Sequence, residues 1–193
     1  MKLLSRIFLI SFFLPAIAFT EVDLNELYID LHQNPELSFQ EEETSQKLAQ
    51  LLKGMGFEVT PEVGGFGVVA VFENGPGKTL MIRADMDALP LEEKTGAKYA
   101  SKKKSINQVG AEVFTMHACG HDIHMTSLIG TAQNLIKMRE DWSGTLVLNL
   151  QPAEERGSGA RAMIRDGIFK RFPRPDFNLA LHVSADLPAG KVA

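Results

Sequence analysis

The chain has 193 residues, 45% hydrophobic and 23% charged, with a formal charge of −4. That supplies enough apolar material for one domain with a real core. The mild acidity and the lack of a long basic run argue against a nucleic-acid partner.

The first residues read as a leader. Lys2 and Arg6 precede an apolar run over residues 7–14, and Ala16-Ile17-Ala18 places small residues around a cleavage point. The run is too short to span a bilayer as a stable helix. The pattern predicts a signal peptide over residues 1–18, export to the periplasm or beyond, and no stable membrane insertion; an uncleaved anchor is the alternative. Export bears on Cys119, the only cysteine. It has no partner for an internal disulfide, so a lone exported thiol is expected to be either buried or coordinated.

Residues 21–32 predict a first helix, ended by Asn34-Pro35-Glu36. Ser38 and Glu41 have the spacing of a capping box and open a second helix that stops at Gly54 and Gly56. The cluster Glu41-Glu42-Glu43 reads as its solvated first turn. Short strands follow at 57–60, 68–72 and 79–83, the last two separated by the turn Asn74-Gly75-Pro76-Gly77. Residues 94–110 are polar, include Lys102-Lys103-Lys104, and predict an exposed loop. Residues 121–137 predict a long helix, 145–150 a buried apolar strand, 159–166 a helix, and 178–183 a last strand. Strands alternating with helices imply an α/β domain with a mostly parallel, helix-covered sheet, whose sites gather at the carboxyl ends of the strands.

The polar clusters fall at those ends. Cys119 and His121 lie two residues apart with Gly120 between them, which puts a thiol and an imidazole on one side of an extended segment. A thiolate beside an imidazole suits a borderline-soft transition metal. A buried cysteine beside a core histidine is the plain alternative. Glu154 and Glu155 follow an apolar strand, where adjacent carboxylates are costly unless a cation compensates them. One can ligate a metal while the other acts as a general base. Asp85 and Asp87 share a side of their segment and can orient a ligand from behind. His182 ends the last strand; His117 and His124 are weaker candidates, and His124 sits where it can serve as a hydrogen-bonding residue only.

Four segments together resemble the M20 metallopeptidase family: Ala84-Asp85-Met86-Asp87-Ala88-Leu89-Pro90, Met116-His117-Ala118-Cys119-Gly120-His121-Asp122, Gln151-Pro152-Ala153-Glu154-Glu155, and Leu181-His182-Val183. More narrowly they resemble its amidohydrolase branch, which includes hippurate hydrolases and N-acyl-amino-acid amidohydrolases. The resemblance implies a three-layer α/β/α catalytic domain. It matches Cys119, His121, Glu155 and His182 to metal ligands, Glu154 to the catalytic general base, and Asp87 to an acidic residue beside a ligand. It implies two divalent ions (manganese, zinc or cobalt), a small N-acyl amino acid or short peptide as substrate, and homodimers among full-length relatives. Family members are about twice as long, with a lid and dimerisation domain and a further catalytic part that carries a last histidine ligand. The expectation is therefore the N-terminal part of a catalytic domain, residues 19–193, incomplete at its C-terminal side and with little activity alone. An aminopeptidase or dipeptidase of the same fold, or a non-catalytic metal-binding remnant, are the competing expectations.

Overall fold

The computed structural model describes residues 21–193; the leader-like segment over residues 1–18 lies outside the described residues. A five-stranded sheet forms the middle layer. Its strands are β1 (Glu58–Thr60), β2 (Val68–Asn74), β3 (Thr79–Asp85), β6 (Gly144–Gln151) and β7 (Phe177–Ala180), in the order β1-β2-β6-β3-β7. β3 pairs in parallel with both β6 and β7, whereas β2 runs antiparallel to β1 and β6. Four strands thus share a direction and β2 alone opposes them. The mostly parallel sheet holds in strand direction, while the pairings are mixed.

Period-two alternation sends side chains to two separate layers. Leu146, Leu148 and Leu150 of β6, with Val68 and Ala70 of β2, join one core cluster with Leu48, Leu128 and Ile129. Helices α1 (Leu24–Gln33), α2 (Glu42–Gly54) and α3 (His121–Lys137) cover that face. Val147, Val69 and Met81 point the other way and pack on Met163 and Ile168. Those two belong to the short helices α4 (Gly159–Arg165) and α5 (Ile168–Arg171). Leu148 is fully buried, and truncating such a residue to alanine costs about 2–5 kcal/mol.

Three local expectations are corrected. α2 starts at Glu42, not Ser38, and no side chain of a Ser38–Glu41 box caps it. Its first-turn amides go to Glu36 instead, whose carboxylate accepts from the Thr44 N–H at 2.8 Å and the Glu43 N–H at 3.3 Å. The segment read as a loop contains strand β4 (Lys104–Ile106), which pairs with β5 (Glu112–Phe114) as an antiparallel hairpin. Its turn is tied by Asn107, whose side-chain oxygen accepts from the Val109 and Ala111 N–H groups. β7 ends at Ala180 and lies at the sheet edge with Phe177 and Leu179 more than half exposed. The last strand therefore covers Phe177–Ala180 and not residues 178–183, and His182 lies just beyond it.

Candidate metal centre

Because β3, β6 and β7 are parallel, their carboxyl ends open on one side of the sheet. Each end carries part of the site: Asp85 and then Asp87 after β3, Glu154 and Glu155 after β6, and His182 after β7. The fourth part comes from the start of α3. Gly120 is its N-cap with φ of 77°. A Cβ there would meet Val183 at 2.5 Å, so glycine is required to bring Cys119 and His121 against the end of β7.

Two histidines have their tautomers fixed by backbone carbonyls, which can only accept. His121 donates from Nδ1 to the Asp87 carbonyl at 2.7 Å. His182 donates from Nδ1 to the Val183 carbonyl at 2.7 Å. Each then presents an Nε2 lone pair. The His182 Nε2 lies 3.4 Å from Cys119 Sγ. The His121 Nε2 is buried without a hydrogen-bond partner, 3.8 Å from both Glu154 Oε2 and Glu155 Oε1 and 3.5 Å from Asp85 Oδ2. Donor atoms of Cys119, His121 and His182 lie within 4.8 Å of one another, and those of His121, Glu154 and Glu155 do as well. The two groups share His121.

Asp87 stands behind this cluster, both oxygens engaged. It accepts from the Ser38 hydroxyl at 2.5 Å and from the backbone N–H groups of Glu154 and Glu155 at 2.9 and 3.0 Å. Burial works to raise its carboxyl, but the His121 ring, Ser38 and those amides outweigh it and hold it below the usual carboxylate range. Asp87, expected as an acidic residue beside a ligand, holds the backbone of the Glu154–Glu155 turn through those two amides. Asp85 accepts from His124 Nδ1 at 2.6 Å and pairs with Arg83 at 2.8 Å. Burial opposes its charge, yet His124, His121 and Arg83 bring it down to about 2. His124 Nε2 accepts from the Val183 N–H at 3.0 Å, so both its nitrogens are used and it serves as a strut. His117 is buried with neither nitrogen hydrogen-bonded; burial takes it down to about 4 and keeps it neutral.

Three supporting residues were not singled out by the sequence. Glu41, expected in a solvated turn, is fully buried and accepts from the Ala153 N–H at 2.7 Å. Burial pushes its carboxyl up to about 7. Arg83 joins Asp85 to Gln151 of β6, donating from Nε at 3.0 Å. His32 bridges Asp122 at 2.6 Å and Glu93 at 3.2 Å, tying α1 to the first turn of α3. Apart from the Arg83–Asp85 pair, their partners are distant in sequence, so no local pattern marks them.

The chemistry of these donors is that of a site for a divalent transition metal. Cys119 is surrounded by anions: burial, Glu155, Glu154 and Asp85 push its thiol up to about 11. A thiol among carboxylates, with a buried and unsatisfied imidazole nitrogen at their centre, is balanced by a cation that takes S, N and O donors together. The residues fit such an ion.

Fold and site together define an α/β protein with a transition-metal donor cluster at the carboxyl ends of its parallel strands. Residues 81–193 match the model of peptidase family M20/M25/M40, and the chain belongs to that family. It is 44% identical over 160 residues to a hippurate hydrolase of Campylobacter jejuni, covering 82% of this chain and 39% of that protein. It is 41% identical over 167 residues to thermostable carboxypeptidase 2 of Saccharolobus solfataricus, covering 84% and 39%. An N-acetyl-L-cysteine deacetylase of Bacillus subtilis is 41% identical over 163 residues, covering 84% and 36%. Among solved structures, a dinuclear metal-binding peptidase of family M20 from Bacillus subtilis superposes with a TM-score of 0.74 at 38% identity, covering 86% of this chain and 43% of that one. An aminobenzoyl-glutamate utilization protein from Klebsiella pneumoniae gives 0.66 at 26% identity, covering 86% and 45%. The chain spans about two fifths of the length of these curated relatives.

Proposed function

We propose that the protein, at the full length its gene encodes, is a metal-dependent amidohydrolase that cleaves the linear amide of N-acyl amino acids into an acyl acid and a free amino acid. The observation that carries this reading is the convergence of Cys119, His121, His182 and Glu155 around an unsatisfied His121 Nε2, with Glu154 beside it. The hydrolase, deacetylase and carboxypeptidase names of the relatives support an amide or peptide bond as the target. The dinuclear neighbour supports two divalent ions, with manganese, zinc and cobalt the candidates. N-blocked short peptides are the second substrate class, favoured by the carboxypeptidase relatives.

Cys119, His121, Glu155 and His182 would hold the ions, whose Lewis acidity polarises an amide carbonyl and acidifies water when they are bound. The chain's own residues do the rest. His121 and His182 are oriented through Nδ1, so their lone pairs need no reorganisation. Asp87 fixes the amides of Glu154 and Glu155 and hence the aim of both carboxylates. Glu155 has the more buried side chain of the two, 18% exposed against 39% for Glu154. That leaves Glu154 able to take a proton from water at its carboxylate and return it to the leaving nitrogen. The leader pattern over residues 1–18 supports export before the enzyme acts.

The test is Glu154→Gln in the full-length protein. Metal content should match wild type while kcat falls about 10²–10⁴-fold. Unchanged turnover would remove Glu154 as the base.

A further inference from the structure

His182 stands on the least supported ground of the four donors. β7 ends at Ala180, and the residues on either side of His182 are open to solvent, Leu181 at 69% and Val183 at 42%. His121, at the start of α3, is fully buried. Packing holds His121, whereas the order around His182 has to come from specific contacts. Those contacts converge on Val183. Its N–H donates to His124 Nε2 at 3.0 Å, and its carbonyl accepts from His182 Nδ1 at 2.7 Å. Its side chain fills the space that a Cβ on Gly120 would take. A backbone N–H can only donate, so His124 Nε2 is an acceptor and the ring proton sits on Nδ1, which donates to Asp85 at 2.6 Å. Asp85 is in turn paired with Arg83 of β3 at 2.8 Å. The His124 ring also meets the His182 ring edge to face, with centroids 4.5 Å apart. Asp85, His121 and His124 bring donor atoms within 4.8 Å of one another as well, but both nitrogens of His124 are committed, so it is a support and not a ligand.

We propose that His124 is the positioning residue for His182: braced by Asp85 and Arg83, it holds Val183, and through Val183 it fixes the tautomer and the aim of the His182 imidazole. This rests on the metal-centre reading above. A neutral imidazole in water carries its proton mostly on Nε2, the atom that would have to meet the metal. The Val183 carbonyl reverses that preference only while it stays within reach of His182 Nδ1. The bond to His124 is the one hydrogen bond that the Val183 N–H makes among the described residues, and His124 itself is buried. The brace begins inside the sheet, on β3, and ends past β7, so it carries the rigidity of the interior out to an exposed donor. The other half of the centre has separate supports, since Asp87 and Glu41 hold the backbone at residues 153–155.

Two measurements on the full-length protein test this, with two polar variants that divide the brace. His124→Gln reaches the Val183 N–H with its amide oxygen. His124→Asn keeps a donor for Asp85 but stops short of Val183. In metal-stripped protein with isotope-labelled histidines, long-range proton–nitrogen NMR reads the His182 tautomer at a pH where the ring is neutral. Wild type and His124→Gln should carry the proton on Nδ1, and the Nε2-protonated form should appear in His124→Asn. Cobalt(II) affinity, measured by competition with a chelator, should fall about 10–100-fold in His124→Asn and stay close to wild type in His124→Gln. A tautomer or a cobalt affinity unchanged in His124→Asn overturns the proposal. So does a His124→Gln that falls as far as His124→Asn, the mark of a merely structural role. If wild type binds no cobalt, the metal-centre reading fails, and the His182 tautomer alone still decides whether His124 positions it.

Discussion

Ala153 adopts a positive φ of 47° without being glycine, a conformation that costs on the order of 1 kcal/mol or more for a residue with a Cβ. Its N–H is held by Glu41, and its carbonyl accepts from the Ser158 and Gly159 amides. Gly159 is obligatory there, because a Cβ would fall 1.5 Å from the Pro152 carbonyl oxygen. The strained residue sits directly before Glu154, the proposed base, so Glu41 acts on that carboxylate through the backbone. Glu41→Ala removes the acceptor and should lower kcat about 10–100-fold with KM little changed, since misaim of a catalytic group costs rate steeply. Glu41→Gln keeps an acceptor for the Ala153 N–H and should restore most of kcat. The same variant tests the sign of the carboxyl's shift. With its folded value raised to about 7, the native state keeps this proton longer than the unfolded chain. The contribution of this group to stability is fullest below about 4.5 and declines as pH rises from there to about 7. Glu41→Gln removes the decline, so in chemical denaturation it should gain on the order of 1–3 kcal/mol over wild type at pH 8 relative to pH 4. An equal difference at both pH values contradicts the assignment.

At the level of elements, the site is a set of strand ends and one helix start held in register by cross-links. Arg83 ties β3 to β6 at one end of the cluster, and His32 ties α1 to α3 at the other. Burial opposes a charge on His32, but Asp122 and Glu93 outweigh it and raise it above 6.5. A raised histidine gives its full stabilisation below 6.5 and loses it as pH rises through the folded value. His32→Gln should therefore be less stable than wild type by about 2 kcal/mol at pH 6, with the gap closing toward pH 9 in urea titrations. A gap that stays constant with pH means the network is not charged. These cross-links also show where sequence reading stops. α3 and β6 were legible because a long helical stretch and an unbroken apolar run speak for themselves. Cys119, His121, Glu154, Glu155 and His182 were legible as candidates because each stands at the end of such an element. The segment from Glu36 to Glu41 was misread. Ser38 and Glu41 have capping spacing, yet their partners lie 49 and 112 residues away, and tertiary partners outrank local ones. The hairpin was missed because its strands are only three residues long and alternate weakly; the Asn107-to-Gly110 turn was the available signal.

Across the whole molecule, one asymmetry organises the function. The helix-covered faces hold the apolar clusters, while the shared carboxyl edge of β3, β6 and β7 gathers the acidic, thiol and imidazole groups. A sheet with parallel central strands places candidate donor side chains from four distant stretches of sequence on one rim, which is why the site is split along the chain and compact in space. On the proposed reading this rim binds a divalent metal through Cys119. The most direct measurement is the near-ultraviolet absorption of the full-length protein stripped of metal and reloaded with cobalt(II). A thiolate–cobalt charge-transfer band that saturates at a fixed stoichiometry and is lost in Cys119→Ser, while the Cys119→Ser fold is retained by circular dichroism, is the predicted result. Stoichiometric cobalt binding with no thiolate band, or a band that survives in Cys119→Ser, would contradict it.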